Sequence, residues 1–247
     1  MRTDEYMPGY SSPMLEFMAR HSAEVEAGFF LPQLKPGSAL LDAGCGPGSI
    51  TLGLARAVAP GPVIGIDIED SQFERARATA ERDGLNVEFR KASVYELPFA
   101  NQQFDAVFSH AVLESLNDPA AALAEFRRVL KPGGVIGLRA GDLGGLLIDA
   151  ESEGPAQAFA AYLTQQKTSA KDPNVGRKLA RLMRRAGFVV DKMTASYEVI
   201  SDFLAKIGPA FAEQFTAAGS QCNLQDRPQD DAIFVALAWC EAMGHAV

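Results

Sequence analysis

A nine-residue segment, LLDAGCGPG at positions 40–48, constrains the fold of this chain more than any other part of the sequence. An apolar run ends in the carboxylate of Asp42, glycines follow at alternate positions, and a helical pattern begins near Ser49. Glycine is needed where the backbone turns sharply or lies directly against a ligand. A helix that follows such a turn directs its free N–H groups at whatever lies over the turn. The segment therefore predicts a strand, a tight turn and a helix around a nucleotide-type cofactor.

The region from about residue 36 to 140 alternates short apolar runs with stretches of helical periodicity. The apolar runs cover 39–41, 63–66, 87–89, 106–108 and 135–138, and the helical stretches cover 49–58, 71–83 and 119–130. This alternation predicts βαβ units and a mostly parallel sheet with helices on both faces.

Outside this region the sequence predicts further helices and one more strand. Helices are expected over 13–31, 155–166, 177–186 and 231–243, a strand over 188–197, and a flexible connection over 141–145. No strand is expected after Tyr197, so the C-terminal edge of the sheet stays undefined at this point.

Composition limits the class of protein. The chain has 247 residues, 47% of them hydrophobic, and a formal charge of −8, which argues against a primary nucleic-acid role. Cys45, Cys222 and Cys240 are too widely spaced for a disulfide framework or a zinc site, so we expect no metal and a cytoplasmic location. No signal pattern opens the chain and no apolar run reaches the roughly 20 residues of a membrane span, so we expect no membrane partner.

The glycine spacing distinguishes two kinds of cofactor site. A dinucleotide site has the pattern G-x-G-x-x-G, which would put its third glycine where Ser49 stands. The observed D-x-G-x-G-x-G pattern resembles the class I methyltransferases that use S-adenosylmethionine. Further motifs follow in order: VIGID at 63–67, LPF at 97–99, QFDAV at 103–107 and RVLKPGG at 128–134, with a weaker echo in RAGF at 185–188. They are similar to the type 11 branch related to ubiquinone/menaquinone C-methyltransferases.

The resemblance implies a fold and a domain layout. The fold is a Rossmann-like, doubly wound, mostly parallel α/β sheet with an N-terminal helical segment and a helical substrate cap. Residues 1–35 would close over the cofactor, and residues 36–247 would form the methyltransferase domain with the cap inserted at about 142–175.

The resemblance also implies which residues bind the cofactor. Asp67 would accept the ribose hydroxyls, Asp42 would bind the ammonium group directly or through water, and Ser93 would bind the adenine amino group where relatives often have an acid. Asp67 could instead cap the following helix, and Asp42 could orient the turn. The full set is Tyr10, Asp42, Gly44, Cys45, Gly46, Asp67, Ile68, Ser93, Val94, His110 and Ala111.

The acceptor side carries less specific signals. His110 ends the fourth strand and could line the cofactor site, act as a general base, or do neither. The segment after the fifth strand usually sets selectivity in this branch, which suggests Arg139, Asp142 and Tyr162 as substrate residues; the alternative is that they are ordinary loop residues.

These residues predict an enzyme that moves a methyl group from S-adenosylmethionine to O, N or C of a small-molecule metabolite by in-line displacement, releasing S-adenosylhomocysteine. One alternative is a protein that retains the cofactor and catalyses a non-methylating reaction. An NAD-dependent oxidoreductase is a third reading, which the glycine spacing disfavours. The N/D/S-P-P-Y/W signature of nucleic-acid amino-methyltransferases is absent from the sequence. A homodimer is one assembly that the sequence leaves open.

Overall fold

The computed structural model describes residues 12–150, 171–199 and 233–247. The helices are α1 (Ser12–Met18), α2 (Ala23–Glu26), α3 (Ser49–Val58), α4 (Phe73–Arg82), α5 (Pro119–Val129) and α6 (Leu179–Arg185). The strands are β1 (Leu40–Ala43), β2 (Val63–Asp67), β3 (Val87–Lys91), β4 (Phe104–His110), β5 (Leu130–Ala150), β6 (Phe188–Val199) and β7 (Ile233–Ala246). Three single 3-10 turns lie at Leu31–Gln33, Leu113–Ser115 and Gly176–Lys178.

The strands form one sheet in the order β3-β2-β1-β4-β5-β7-β6. The first five strands in this order are parallel, whereas β7 runs antiparallel to both β5 and β6. The strand order reverses between β1 and β4, and open α/β sheets bind their ligands beyond the carboxyl ends of the strands at such a reversal. The α/β sheet predicted from the alternating pattern is confirmed.

Helices cover both faces of the sheet because alternate residues of a strand point in opposite directions. On one face, Leu40 packs in a cluster with Phe30 and Leu54. On the other face, Leu41 packs in a cluster with Val107 and Phe126. All six side chains are fully buried, which fixes the position of β1 between two apolar layers.

The N-terminal segment differs from the single helix expected over 13–31. It consists of α1, α2 and a 3-10 turn, with a break at Ser22. The Ser22 hydroxyl accepts a bond from the amide of Val25, and the Glu26 carboxylate accepts one from the amide of Ser22. This reciprocal capping starts a new helix and therefore interrupts the first one.

The prediction of a last helix over 231–243 was wrong, and the part of the sheet that the sequence left undefined after Tyr197 includes this segment. These residues lie largely in β7, which inserts between β5 and β6. Val235, Ala236 and Ala242 are buried, since this strand has a paired neighbour on each side and cover on its faces. A short apolar run buried on both faces cannot be told from a buried helix by periodicity.

The segment expected to be flexible, 141–145, is also part of a strand. β5 continues to Ala150 and pairs with β7 on both sides of a register shift between Asp142 and Leu147. Residues 142–150 of the expected cap are therefore extended, and the helix expected over 155–166 lies outside the described residues. No helix in the described ranges is long and apolar enough to cross a bilayer.

Candidate functional site

The glycine turn after β1 has the backbone conformation that the sequence predicts. Gly44, Gly46 and Gly48 have φ angles of +82°, +50° and +81°, which side-chain-bearing residues rarely adopt. A Cβ on Gly44 would lie 2.1 Å from the Val112 side chain, so space as well as conformation requires glycine there. The amide of Gly44 donates to the carbonyl of Ile66 at 2.8 Å, which ties the turn to the end of β2.

Asp67 ends β2 and holds the same turn from the side. Its Oδ2 accepts a 2.8 Å bond from the amide of Gly46, and its Oδ1 accepts a 3.1 Å bond from the amide of Glu69. Helix α4 begins six residues later with Gln72 at its N-cap position, so Asp67 does not cap that helix. The carboxylate therefore has a fixed orientation beside the turn.

Asp42 is buried beneath the turn. Its Oδ2 accepts a 2.6 Å bond from the hydroxyl of Thr51 in α3. The pKa of Asp42 is raised to about 7, chiefly by burial and also by the nearby Asp67, while the Thr51 bond acts to lower it. A cation placed against this carboxylate would favour its ionised form.

One cavity lies over the turn at the carboxyl ends of β1, β2 and β4. Ten of the eleven residues predicted to bind the cofactor line it: Asp42, Gly44, Cys45, Gly46, Asp67, Ile68, Ser93, Val94, His110 and Ala111. The eleventh, Tyr10, lies outside the described residues. The sequence thus identified residues from four separate segments that the fold brings together.

The end of α1 contacts this cavity. Met18 lines it, and the Met18 carbonyl accepts a 3.1 Å bond from the hydroxyl of Ser49 at the start of α3. The Met18 methyl group lies 2.9 Å from where a Cβ of Gly46 would stand. Within the described part of residues 1–35, the N-terminal segment therefore packs directly on the glycine turn.

His110 lies at the lip of the cavity in a neutral form. Its side chain is buried, and neither ring nitrogen has a hydrogen-bond partner among the described residues. Burial lowers the pKa of His110 well below its usual value, and the charge of Arg139 lowers it further. Its ring meets that of His21 edge-on at 5.1 Å and lies 5.0 Å from that of Trp239.

Arg139 is the register partner of His110 in the neighbouring strand and is 5% exposed. Its guanidinium lies 4.1 Å from the centroid of the Trp239 ring. Its charge is compensated by Glu241 and Glu198, at closest N–O distances of 3.6 and 3.8 Å. These distances exceed hydrogen-bond length, and within the described part of the chain Nε and Nη1 have no partner. We call His21, His110, Glu114, Arg139 and Trp239 the Arg139 cluster.

Asp142 has a different environment. Its carboxylate accepts bonds of 2.5 to 2.9 Å from the backbone and guanidinium of Arg177. This pair ties β5 to the 3-10 turn before α6. Any role of Asp142 toward a substrate stays a prediction, as does that of Tyr162, which lies outside the described residues.

Sequence reasoning missed several residues of the cavity and of the surroundings of Arg139, namely Met18, His21, Glu114, Glu198, Trp239 and Glu241. Two of them carried a signal. Glu114 and Glu241 each stand alone in an apolar stretch, and a lone acid in such a stretch often has a buried polar partner. In the described ranges, no group of three or more His, Cys, Asp or Glu side chains is placed to hold a metal ion.

Comparison with known proteins agrees with the cofactor-side geometry. Residues 41–138 match the family described as Methyltransferase domain, type 11. The chain is 38% identical over 148 residues to "Probable methyltransferase ltbC" of Aspergillus luteorubrus, an alignment that covers 56% of this chain and 52% of that protein. It is 36% identical over 115 residues to the ubiquinone biosynthesis O-methyltransferase of Cereibacter sphaeroides, covering 47% of this chain and 46% of that protein.

The chain thus spans about half the length of the curated relatives it matches. Among solved structures, a SAM-dependent methyltransferase of Aquifex aeolicus aligns with a TM-score of 0.60 at 16% identity, covering 97% of this chain and all of that one. Identity this low supports the fold alone. Residues 41–138 therefore match a methyltransferase domain family, and the fold and the motif order of this chain agree with that match.

Proposed function

We propose that this protein is an S-adenosylmethionine-dependent methyltransferase that acts on a small-molecule acceptor. The observation that carries the proposal is the single cavity lined by Asp42, the glycine turn, Asp67 and Ser93. Two oriented carboxylates beside a glycine turn that lines the cavity suit a ligand that has both a ribose and a cationic amino acid part.

Each part of the cofactor has a matching group in the cavity. Asp67 is held by two backbone amides, so its carboxylate is already oriented to accept ribose hydroxyls. Asp42 would bind the ammonium group, and its burial strengthens that attraction. Ser93 and Val94 line the side of the cavity where the adenine would lie.

When bound, S-adenosylmethionine supplies a methyl group that its sulfonium charge has already activated. The main task of the protein is then to position the acceptor and exclude water, and positioning alone supplies up to about 7–11 kcal/mol. The ring nitrogens of His110 have no partner among the described residues, so one of them is available to take the proton that an O–H or N–H acceptor loses as it is methylated. The name of one relative above, the ubiquinone biosynthesis O-methyltransferase, supports a metabolite acceptor.

The test is binding of S-adenosylmethionine, S-adenosylhomocysteine and NAD, measured by calorimetry and by thermal shift. We expect both adenosyl ligands to bind and NAD not to bind. A ligand present at 100 times its Kd stabilises the folded state by about 2.7 kcal/mol, which raises the melting temperature by a few degrees. Binding of NAD in preference to the adenosyl ligands would contradict the proposal.

A further inference from the structure

The Arg139 cluster contains buried polar atoms that lack partners within the described residues. They are both ring nitrogens of His110, Nε2 of His21, Oε2 of Glu114, and Nε and Nη1 of Arg139. A buried donor or acceptor left unpaired is destabilising, so native proteins rarely collect several of them in one place without a ligand to satisfy them.

The position of the cluster relates it to the cofactor cavity. His110 lines the cavity, whereas Arg139 lies one strand further along the sheet as the register partner of His110. Parallel strands place register partners side by side, about 4.8 Å apart. A molecule that contacts both side chains would therefore lie at the edge of the cofactor cavity, where a methyl acceptor must lie.

The two carboxylates nearest Arg139 have other partners. Glu241 accepts bonds of 2.7 Å from the hydroxyls of Thr194 and Ser196. Glu198 accepts a 2.7 Å bond from the indole N–H of Trp239. These bonds hold both acids where they neutralise Arg139 without occupying its donors.

The charges of the cluster determine which ligand it fits. Arg139 contributes one positive charge and the two partner carboxylates contribute two negative charges. His110 and His21 are neutral because burial and Arg139 lower the pKa of both, and burial raises the pKa of Glu26 and of Glu114. A carboxylate brought to Arg139 would add a third negative charge beside the existing two, which is unfavourable.

We propose that the Arg139 cluster is the acceptor subsite, and that it selects a neutral acceptor with two neighbouring oxygens. One oxygen is the O–H nucleophile, which donates its hydrogen bond to His110. The second oxygen accepts from Nε and Nη1 of Arg139. In the transfer, the acceptor oxygen forms its bond to the methyl carbon as the carbon–sulfur bond breaks, and the O–H proton passes to His110. This inference rests on the proposed methyltransferase function.

The first experiment measures binding of three probes to the protein saturated with S-adenosylhomocysteine, by calorimetry at pH 7. Catechol has two neighbouring neutral oxygens, phenol lacks the second, and salicylate places it on a charged carboxylate. We expect catechol to bind about tenfold more tightly than phenol, the size expected for one hydrogen bond to a charged group. We expect salicylate to bind more weakly than catechol. Equal or tighter binding of salicylate, or no detectable binding of catechol at millimolar concentration, would overturn the inference.

Two variants separate recognition from general damage. Arg139→Met removes the donors and should reduce the ratio of the catechol affinity to the phenol affinity to about one. Phenol has no second oxygen to bind Arg139, so its affinity should not change. Arg181→Met, an exposed arginine on α6, is the matched control and should keep the wild-type ratio. Glu198→Gln keeps an acceptor for Trp239 but removes one negative charge, so it should raise the affinity for salicylate severalfold relative to catechol.

The outcomes distinguish this inference from the function on which it rests. If S-adenosylhomocysteine does not bind the wild-type protein, the proposed function fails. If S-adenosylhomocysteine binds but Arg139→Met keeps the wild-type ratio of catechol to phenol affinity, only the acceptor assignment fails. The same holds if Glu198→Gln leaves the salicylate affinity unchanged.

Discussion

Cofactor binding should depend on pH through Asp42. The pKa of this carboxyl is raised to about 7, chiefly by burial, and the proposed ammonium partner binds only the ionised form. With that pKa, the carboxyl is ionised in about 90% of molecules at pH 8 and in about 10% at pH 6. The affinity for S-adenosylhomocysteine should therefore fall about tenfold over this interval, or about 1.4 kcal/mol.

The same argument predicts proton release. At pH 7 about half of the molecules must lose a proton from Asp42 when the ligand binds. Calorimetry in two buffers of different ionisation enthalpy measures this number directly. The Thr51 hydroxyl lowers the pKa of Asp42, so Thr51→Val should move the whole affinity profile to higher pH.

Asp42→Asn is the control that separates titration of Asp42 from titration of the ligand. This variant should bind S-adenosylhomocysteine more weakly, and its affinity should not change between pH 6 and pH 8. A flat profile in the wild-type protein, with no proton released at pH 7, would refute the assignment of Asp42 to the ammonium group. The stability of the ligand-free protein should also depend on pH through Asp42. Because the folded-state pKa of Asp42 is raised, its contribution to stability is fully present below pH 3.8 and is lost as pH rises through about 7.

Three further predictions test the rest of the site. Asp67→Asn should weaken the binding of S-adenosylhomocysteine by about 1.5–3 kcal/mol, as measured by calorimetry. The wild-type protein should bind the 2′-deoxy analogue clearly more weakly than S-adenosylhomocysteine, whereas the variant should show little added loss of affinity for that analogue. An equal loss for the analogue in both proteins argues against a ribose contact. Gly44→Ala should lower the free energy of unfolding by about 1–3 kcal/mol because of the positive φ and the Val112 contact, as measured by urea denaturation; Gly84→Ala also has a positive φ but no neighbour within 4 Å, and should cost less. His110→Gln should reduce turnover of an O–H acceptor by about 10²–10⁴-fold, and a loss of only a few-fold in a radiolabelled methyl-transfer assay would exclude it as the base.

Local patterns predicted the cofactor half of the molecule well. Helix α3 spans 49–58 as predicted, since the glycine turn fixes its start and its apolar face matches a helical period. The cofactor residues follow the ends of parallel strands, and parallel strands present those ends at one edge of the sheet. A motif within each short segment was therefore enough to place Asp42, Asp67 and Ser93 around one cavity.

The Arg139 cluster could not be predicted in the same way. Arg139 meets Glu241 and Trp239 only because β7 pairs antiparallel with β5, and no local pattern encodes a pairing between strands so distant in sequence. The apolar composition of β7 suits a helix and a buried strand equally well. A helix over 231–243 gives no basis for placing Glu241 and Trp239 near His110.

The insertion of β7 between β5 and β6 also affects how the chain is made. Strand β6 is synthesised before β7, yet it pairs with no strand of the described sheet except β7. Until residues 233–246 leave the ribosome, both β5 and β6 present unpaired edges, and such edges promote association with other chains. A truncation that removes these residues should therefore leave the glycine turn in place but yield a protein that aggregates during synthesis. The pairing of β7 with β5 and β6 is thus the event that closes both open edges.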